Sequence, residues 1–159
     1  MGEQVLEAIR RLLTEAGVPF REVSHAPTYT SEESARARGA ELRTGGKALL
    51  LKTDDVFRLF VLPADRKLDS SAVKRELGVK KTRFATAEEL HDVTGLVPGS
   101  VPPFGPPVLP FPLYVDEAIR HNERIAFNAG ALTTSIILAV NDYLAVARPA
   151  VFAFSAPPA

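Results

Sequence analysis

Hydrophobic positions along the chain switch between the spacing of helices and the spacing of strands. Apolar residues three or four apart predict an amphipathic first helix, and Gly17 suits the position just after its end. Two capping boxes, Thr30-Ser31-Glu32-Glu33 and Thr86-Ala87-Glu88-Glu89, predict two further helix starts. The predicted helices run over 4–16, from 30 to about 38, from a cap at Asp69 to Gly78, from 86 to Gly95, and over 141–147.

Short apolar runs between these helices predict strands. They lie at residues 20–24, 47–52, 56–62, 113–115, 124–128, 134–138 and 151–154. Because helices and strands alternate without a strict βαβ rhythm, the pattern favours the α/β class of the α+β type, with helices packed on a mixed sheet. The length is typical of one domain, which we expect to span residues 1–159.

One predicted strand begins with a lysine. In a strand over residues 47–52, Lys47, Leu49 and Leu51 point to one face, and the alternate residues point to the other. A half-buried lysine at the mouth of a leucine-lined core suits an oxyanion or a carboxylate partner. A strand-end lysine that extends into water is the other interpretation, and the residues alone leave both open.

A proline-dense segment is the strongest local signal. Seven of the thirteen prolines fall between Pro98 and Pro112, which excludes helix interior and central strand because proline lacks an N–H and fixes φ. Gly99 and Gly105 bracket its centre, so the backbone there can approach a ligand closely. The segment is predicted to be a stiff loop that either connects two elements or holds a small polar ligand.

Composition narrows the possible partners and the location. The chain has 19 basic residues (Lys plus Arg) and 19 acidic residues (Asp plus Glu). It therefore lacks the excess of basic residues that is typical of proteins that bind long nucleic acids. The absence of cysteine excludes disulfides, thiolate metal sites and a cysteine nucleophile. No apolar run reaches the length of a membrane span, and charged residues interrupt the N-terminal apolar positions. We expect a cytoplasmic protein with no membrane or DNA partner.

Side chains with obvious catalytic chemistry are scarce. The histidines His25, His91 and His121 are not spaced as metal ligands, and serine-nucleophile, phosphate-loop and dinucleotide motifs are missing. We therefore expect no metal and no cofactor. One lysine, the amides of glycine-containing loops and a few hydroxyls remain. Such a set suits a reaction in which the substrate supplies its own reactive group, for example ester hydrolysis assisted by a neighbouring hydroxyl.

Seven segments carry a family pattern in their order and spacing. They are Ser24-His25-Ala26-Pro27, Tyr29-Thr30, 47–52, 62–69, 94–105, Tyr114-Val115-Asp116 and Phe127-Asn128-Ala129-Gly130. Together they resemble the YbaK/prolyl-tRNA-synthetase-associated domain family over residues 18–152. The resemblance implies a compact α/β domain with a mixed, partly barrel-like sheet. It also implies hydrolysis of wrongly charged aminoacyl-tRNA, often a small amino acid on tRNA for proline, in the manner of the free-standing editors that act in trans.

The resemblance also implies particular site residues. The family lysine maps onto Lys47, and the family GxxxP loop maps onto Gly99 and Pro103. The predicted catalytic residues are Lys47, Gly99 and Ser100. The predicted substrate-binding residues are Tyr29, Thr30, Val101, Pro102, Pro103, Phe104, Asn128, Ala129 and Gly130. The expected partners are the acceptor end of an aminoacyl-tRNA and prolyl-tRNA synthetase or another synthetase.

The chain departs from the family pattern in one segment. Several free-standing alanine editors have a polar pair after the glycine that maps onto Gly130, whereas this chain has Ala131-Leu132. The departure predicts a small, mostly apolar pocket that selects by size, so that alanine, serine or cysteine is removed and bulky residues are ignored. The alternative function is a non-catalytic module that binds a nucleotide or the aminoacyl-tRNA end, or that associates with a synthetase.

Overall fold

The structure is a computed structural model that describes residues 2–157. These residues contain five α-helices and ten β-strands. The helices are α1 (Gly2–Glu15), α2 (Ser31–Arg38), α3 (Ser70–Leu77), α4 (Ala87–Thr94) and α5 (Val140–Ala147). The strands are β1 (Arg21–Ser24), β2 (Gly46–Thr53), β3 (Val56–Pro63), β4 (Lys67–Leu68), β5 (Thr82–Phe84), β6 (Leu113–Asp116), β7 (Arg124–Asn128), β8 (Thr134–Ala139), β9 (Ala150–Phe152) and β10 (Ser155–Ala156). Short 3₁₀ helices lie at Leu42–Thr44 and Glu117–His121. None of these helices is long and apolar enough to cross a membrane.

The strands form three sheets. A five-stranded mixed sheet has the order β5-β2-β3-β6-β9, a three-stranded antiparallel sheet has the order β1-β8-β7, and β10 pairs with β4. The expected mixed α/β architecture is confirmed. The expected partial barrel is not found, because a barrel needs a continuous ladder between its edges. In the described residues, one parallel bridge between Gly45 and Ala126 joins the two larger sheets.

Strand β2 lies between two hydrophobic clusters. Leu50 belongs to the larger cluster, which includes residues of α1, β7 and β8. Leu51 belongs to a second cluster with Phe60 and with Val73 of α3. This arrangement confirms the predicted alternation along the strand. Because both of its faces are packed, β2 holds the backbone of Lys47 in a fixed place.

The helix starts follow the predicted caps. The side chain of Thr30 accepts a hydrogen bond from the N–H of Glu33, and Asp69 caps α3 in the same way. Thr86 and Glu89 form the complete capping box at the start of α4. Strands β4, β5 and β10 were not predicted from the sequence, because they have two or three residues and few buried side chains.

Candidate functional site

A cavity of about 200 Å³ opens at the start of β2. One wall comes from α2 and the residues before it, including Thr28, Tyr29 and Ser34. A second wall is the segment 45–49, and the third contains Gly99, Val101 and Asn128. The cavity therefore brings together residues from Thr28 to Asn128, which are 100 positions apart in the chain.

Half of the predicted site residues line this cavity. They are Tyr29, Thr30, Lys47, Gly99, Val101 and Asn128. The other six, which are Ser100, Pro102, Pro103, Phe104, Ala129 and Gly130, are buried and are not part of the lining. The proline-dense segment thus contributes two of its residues to the cavity wall.

Lys47 is half-buried in the cavity. Its Nζ atom donates a hydrogen bond to the carbonyl oxygen of Arg66 at 3.3 Å. Burial lowers the pKa of the Lys47 ammonium, and the charges of Glu32 and Asp65 partly oppose this shift. A partly desolvated ammonium interacts more strongly with a developing negative charge than a solvated one does.

The loop opposite Lys47 is held by two contacts from the turn after β7. The side-chain amide of Asn128 donates to the carbonyl oxygen of Gly99 at 2.9 Å, and the N–H of Gly130 donates to the carbonyl oxygen of Ser100 at 2.9 Å. Gly99 has a φ of 88°, which favours glycine. Within residues 2–157, no acceptor is found for the N–H of Gly99 or Val101. These two amides are therefore free to bind a ligand at the cavity wall.

Ser100 is buried in the turn between Gly99 and Val101. Its hydroxyl donates to the carbonyl oxygen of Val97 at 2.8 Å, its N–H donates to the same oxygen, and 1% of its surface is exposed. Both donors are thus used inside its own turn. The catalytic role of Ser100 stays a prediction, and the structure shows that its contacts shape the turn that contains Gly99 and Val101.

The remaining predicted residues of the proline-dense segment support the loop from behind. The ring of Phe104 packs edge-to-face on Phe127 and Tyr143, at 5.5 and 5.4 Å between ring centroids. The hydroxyl of Tyr143 donates to the carbonyl oxygen of Pro103. The substrate contact expected of Pro102, Pro103, Phe104, Ala129 and Gly130 stays a prediction, and the structure places these five residues in the interior rather than in the cavity lining.

A buried arginine that was not predicted from the sequence completes the cavity wall. Arg38 is 8% exposed; its Nε donates to Ser135 Oγ at 2.8 Å and its Nη2 donates to Asn128 Oδ1 at 3.2 Å. In the described residues it makes no salt bridge within 4.0 Å. Burial lowers the pKa of Arg38 to about 10. Neutral polar groups therefore hold this cation, and through Asn128 it is connected to Gly99.

The cavity is richer in hydroxyls than predicted. Thr28 Oγ1 and Ser34 Oγ lie 2.8 Å apart, both residues are buried, and Thr30 and Ser31 also line the cavity. Ala131 and Leu132, on which the expectation of an apolar wall rested, are not part of the lining. That expectation is wrong, because the wall comes from the α2 region rather than from the segment after Gly130.

Comparisons with known proteins show the family and the activity class of this chain. The family model described as "Aminoacyl-tRNA editing domain" matches residues 25–146. The chain belongs to this family. The Escherichia coli (strain K12) protein named Multifunctional Ser/Thr-tRNA deacylase ProXp-y is 35% identical over 144 residues, which cover 87% of this chain and 85% of that protein. The editing family and this relative confirm the predicted activity class, which is deacylation of mischarged aminoacyl-tRNA.

A further relative and a solved structure similar to this chain both have names that refer to the charging of tRNA with proline. A Shouchella clausii proline–tRNA ligase is 40% identical over 100 residues, which cover 63% of this chain and 17% of the ligase. A crystal structure of a candidate trans-editing enzyme for prolyl tRNA synthetase has a TM-score of 0.82 and 26% identity, and the match covers 96% of this chain and 97% of that one. Both matches support the predicted resemblance.

The sequence contains one signal that points to Arg38. Ser34 and Ala35 are small residues three or four positions before Arg38, so all three share one face of α2, and all three are buried. Small residues on a helix face indicate close packing, and an arginine on that face must then be buried with its partners.

The editing domain has no cluster of three His, Asp or Glu side chains suited to a metal within residues 2–157.

Proposed function

We propose that this editing domain hydrolyses the ester bond of tRNA mischarged with serine or threonine, acting in trans on tRNA for proline. The observation that carries the proposal is the small cavity, which combines Lys47, two free loop amides and a buried pair of hydroxyls. The activity in the name of the Escherichia coli relative supports the same amino acids. The proposal deepens the activity class that the family provides.

The proposed mechanism uses Lys47 and the loop amides as oxyanion donors. The ester carbonyl lies between Lys47 Nζ and the N–H groups of Gly99 and Val101, which stabilise the negative charge that develops on its oxygen. Water forms the new C–O bond, oriented by the free hydroxyl of the terminal ribose. The ester C–O bond then breaks, and the ribose oxygen takes up a proton as the tRNA leaves.

Selection of the amino acid rests on size and on hydroxyl recognition. A cavity of about 200 Å³ is smaller than the roughly 300–1,000 Å³ of pockets for drug-sized ligands, so it favours a small amino acid. Thr28 and Ser34 can each donate or accept a hydrogen bond toward a substrate hydroxyl. A site built to bind a substrate hydroxyl disfavours an analogue that lacks it, because its own buried groups stay unpaired.

The proposed partner is the acceptor end of the tRNA. Tyr29 lines the cavity and is 73% exposed, so its ring is available to stack on the terminal base. Thr30 caps the N-terminus of α2 and lines the cavity next to Tyr29. We propose that the domain works in the cytoplasm, where tRNA is charged, and that it associates with a synthetase such as prolyl-tRNA synthetase.

A panel of charged tRNAs tests the proposal. We expect the wild-type protein to deacylate seryl- and threonyl-tRNA faster than alanyl-tRNA, and to leave leucyl- and phenylalanyl-tRNA intact. Thr28→Val removes one of the paired hydroxyls and is expected to lower the ratio of serine to alanine rates, whereas Ser71→Ala on exposed α3 leaves the ratio unchanged. Equal rates for phenylalanine and serine would contradict the proposal, and binding without any hydrolysis would favour the non-catalytic alternative.

A further inference from the structure

A second groove, of about 410 Å³, lies at the opposite end of β2 from Lys47. Five basic residues line it, together with one acidic residue, Asp54. The basic residues are Lys52, Lys74, Lys80, Lys81 and Arg83. Because the chain as a whole has equal numbers of basic and acidic residues, this groove is a local concentration of positive charge. We call it the lysine groove.

The local structure presents the lysines rather than neutralising them. Asp54 Oδ1 accepts hydrogen bonds from the backbone N–H groups of Lys80 and Lys81 at 3.1 and 2.9 Å, so it organises the turn that carries both side chains. Glu89 pairs with Arg83 at 2.7 and 2.9 Å. Within residues 2–157, none of the four groove lysines makes a salt bridge within 4.0 Å. Lys74, Lys80 and Lys81 are exposed and Lys52 is half-buried, and within residues 2–157 none of the four has a paired acid.

The spacing along β2 relates the lysine groove to the editing cavity. Lys47 and Lys52 are five residues apart on one packed strand, which corresponds to about 17 Å at roughly 3.3 Å per residue. The nucleotides upstream of the esterified 3′ end therefore have to span about 17 Å to bring their phosphates to the lysine groove.

We propose that the lysine groove binds the phosphate backbone of the acceptor stem of the substrate tRNA. A lysine ammonium is a compact charge without the fixed bidentate geometry of an arginine guanidinium. Lysines therefore suit contacts to backbone phosphates that are independent of the base sequence. The groove then supplies affinity for any tRNA and positions its 3′ end, while the cavity selects the amino acid. This inference rests on the proposed function only for the identity of the substrate.

The test compares two triple variants of equal charge change. Lys74→Gln/Lys80→Gln/Lys81→Gln removes three groove charges, and Arg11→Gln/Arg75→Gln/Arg120→Gln removes three exposed charges outside the groove. The readouts are the Kd for uncharged tRNA against salt concentration and the deacylation of seryl-tRNA and of seryl-adenosine, which carries no phosphate. We expect the groove variant to bind tRNA about tenfold more weakly, with a salt slope smaller by about three, and to deacylate seryl-adenosine as the wild type does.

The outcomes separate this inference from the proposed function. Equal weakening by both triple variants, or an unchanged salt slope in the groove variant, overturns the lysine groove as a phosphate site. A slower reaction of the groove variant on seryl-adenosine also overturns it, because that substrate carries no phosphate. A wild-type protein that binds tRNA through the groove without deacylating any charged tRNA retains this inference and refutes the proposed function.

Discussion

Lys47 is partly desolvated, and this property predicts the pH dependence of the reaction. Its charged form is the proposed oxyanion donor, and burial lowers its pKa from the ordinary value of a lysine. Raising the pH through that lowered pKa removes the proton, so kcat/KM is expected to fall on the alkaline side, earlier than for an ordinary lysine near about 10.4. The measurement is the deacylation rate of seryl-tRNA against pH, after subtraction of spontaneous ester hydrolysis.

Lys47→Arg provides the control for this pH dependence. An arginine keeps its charge across the range, so its rate is expected to be lower than that of the wild type but without the alkaline decline. If the wild type and Lys47→Arg decline together, another group titrates and Lys47 is not the donor.

We propose that Arg38 acts on the reaction through Asn128, as a positioning residue. Arg38→Met removes one of the two hydrogen bonds to Asn128 Oδ1 and leaves the one from Ser135 Oγ, whereas Asn128→Asp keeps an acceptor for Arg38 but loses the donor to the Gly99 carbonyl. Because a misplacement of about 1 Å can cost roughly 10²-fold in rate, each change is expected to lower kcat by up to about that factor and to leave KM nearly unchanged. The measurement is the steady-state kinetics of both single variants and of the double variant.

The double variant distinguishes positioning from general damage. We expect it to lose no more than the more affected single variant, because both changes release the same loop. Arg36→Met, on the exposed face of the same helix, is expected to behave as the wild type. Additive losses, or a rise in KM alone, would show that Arg38 does not act through Asn128 on the loop amides.

At the scale of elements, we expect the turn around Gly99 to be sensitive to substitution. A residue with a Cβ at position 99 would have to adopt a φ of 88°, and that Cβ would lie 3.3 Å from Leu132 Cδ2. Gly99→Val is therefore expected to slow the hydrolysis of seryl- and threonyl-tRNA by the same factor, because it moves the loop amides and not the selecting hydroxyls. The measurement is the ratio of the two rates in wild type and variant.

Gly78→Val is the matched control for Gly99→Val. Gly78 has a φ of 66°, a Cβ there would meet open space, and the residue follows α3 outside the cavity lining. Its substitution introduces a similar backbone strain of about 1–2 kcal/mol without touching the site. We expect Gly78→Val to lower the thermal stability and to hydrolyse seryl- and threonyl-tRNA at the wild-type rates. A change in the serine-to-threonine ratio for Gly99→Val would contradict the role given to the turn.

Elements with a local signal were predictable from the sequence, and those that depend on distant partners were not. The capping boxes at Thr30 and Thr86 and the alternation along β2 predicted helix starts and buried faces, because the interactions involved lie within a few residues. Strand β5 has exposed side chains and exists through its pairing with β2. No local pattern marks such a strand.

The candidate site shows the same division between local and long-range information. The resemblance located Lys47, Gly99 and Asn128, which line the cavity. It did not locate Arg38, whose partners Asn128 and Ser135 lie 90 and 97 residues away. The polarity of the cavity was also missed, since it depends on which segment faces Lys47 in three dimensions.

At the scale of the whole molecule, β2 and its partner β3 contribute to both hydrophobic clusters. Leu50 packs in one cluster and Leu51 in the other, so neither cluster is complete without this strand. We therefore propose that the chain is one domain that unfolds in a single cooperative transition. Thermal unfolding followed by far-UV and near-UV circular dichroism is expected to give coincident curves.

Core substitutions on the two faces of β2 sharpen this test of the single domain. Leu50→Ala and Leu51→Ala are each expected to destabilise the fold by about 2–5 kcal/mol and to lower one shared midpoint. Two separate transitions, of which each substitution lowers one, would show that the clusters belong to independent units.

Single-turnover deacylation of seryl-tRNA by wild type and Lys47→Ala tests most directly whether the cavity is an ester-hydrolysing site. Lys67→Ala, which removes an exposed lysine outside the cavity, is the control. We predict a rate for Lys47→Ala about 10²-fold or more below that of the wild type, with an unchanged fold and a normal rate for Lys67→Ala. A correctly folded Lys47→Ala protein that clears seryl-tRNA at the wild-type rate would contradict the assignment of the cavity as the hydrolytic site.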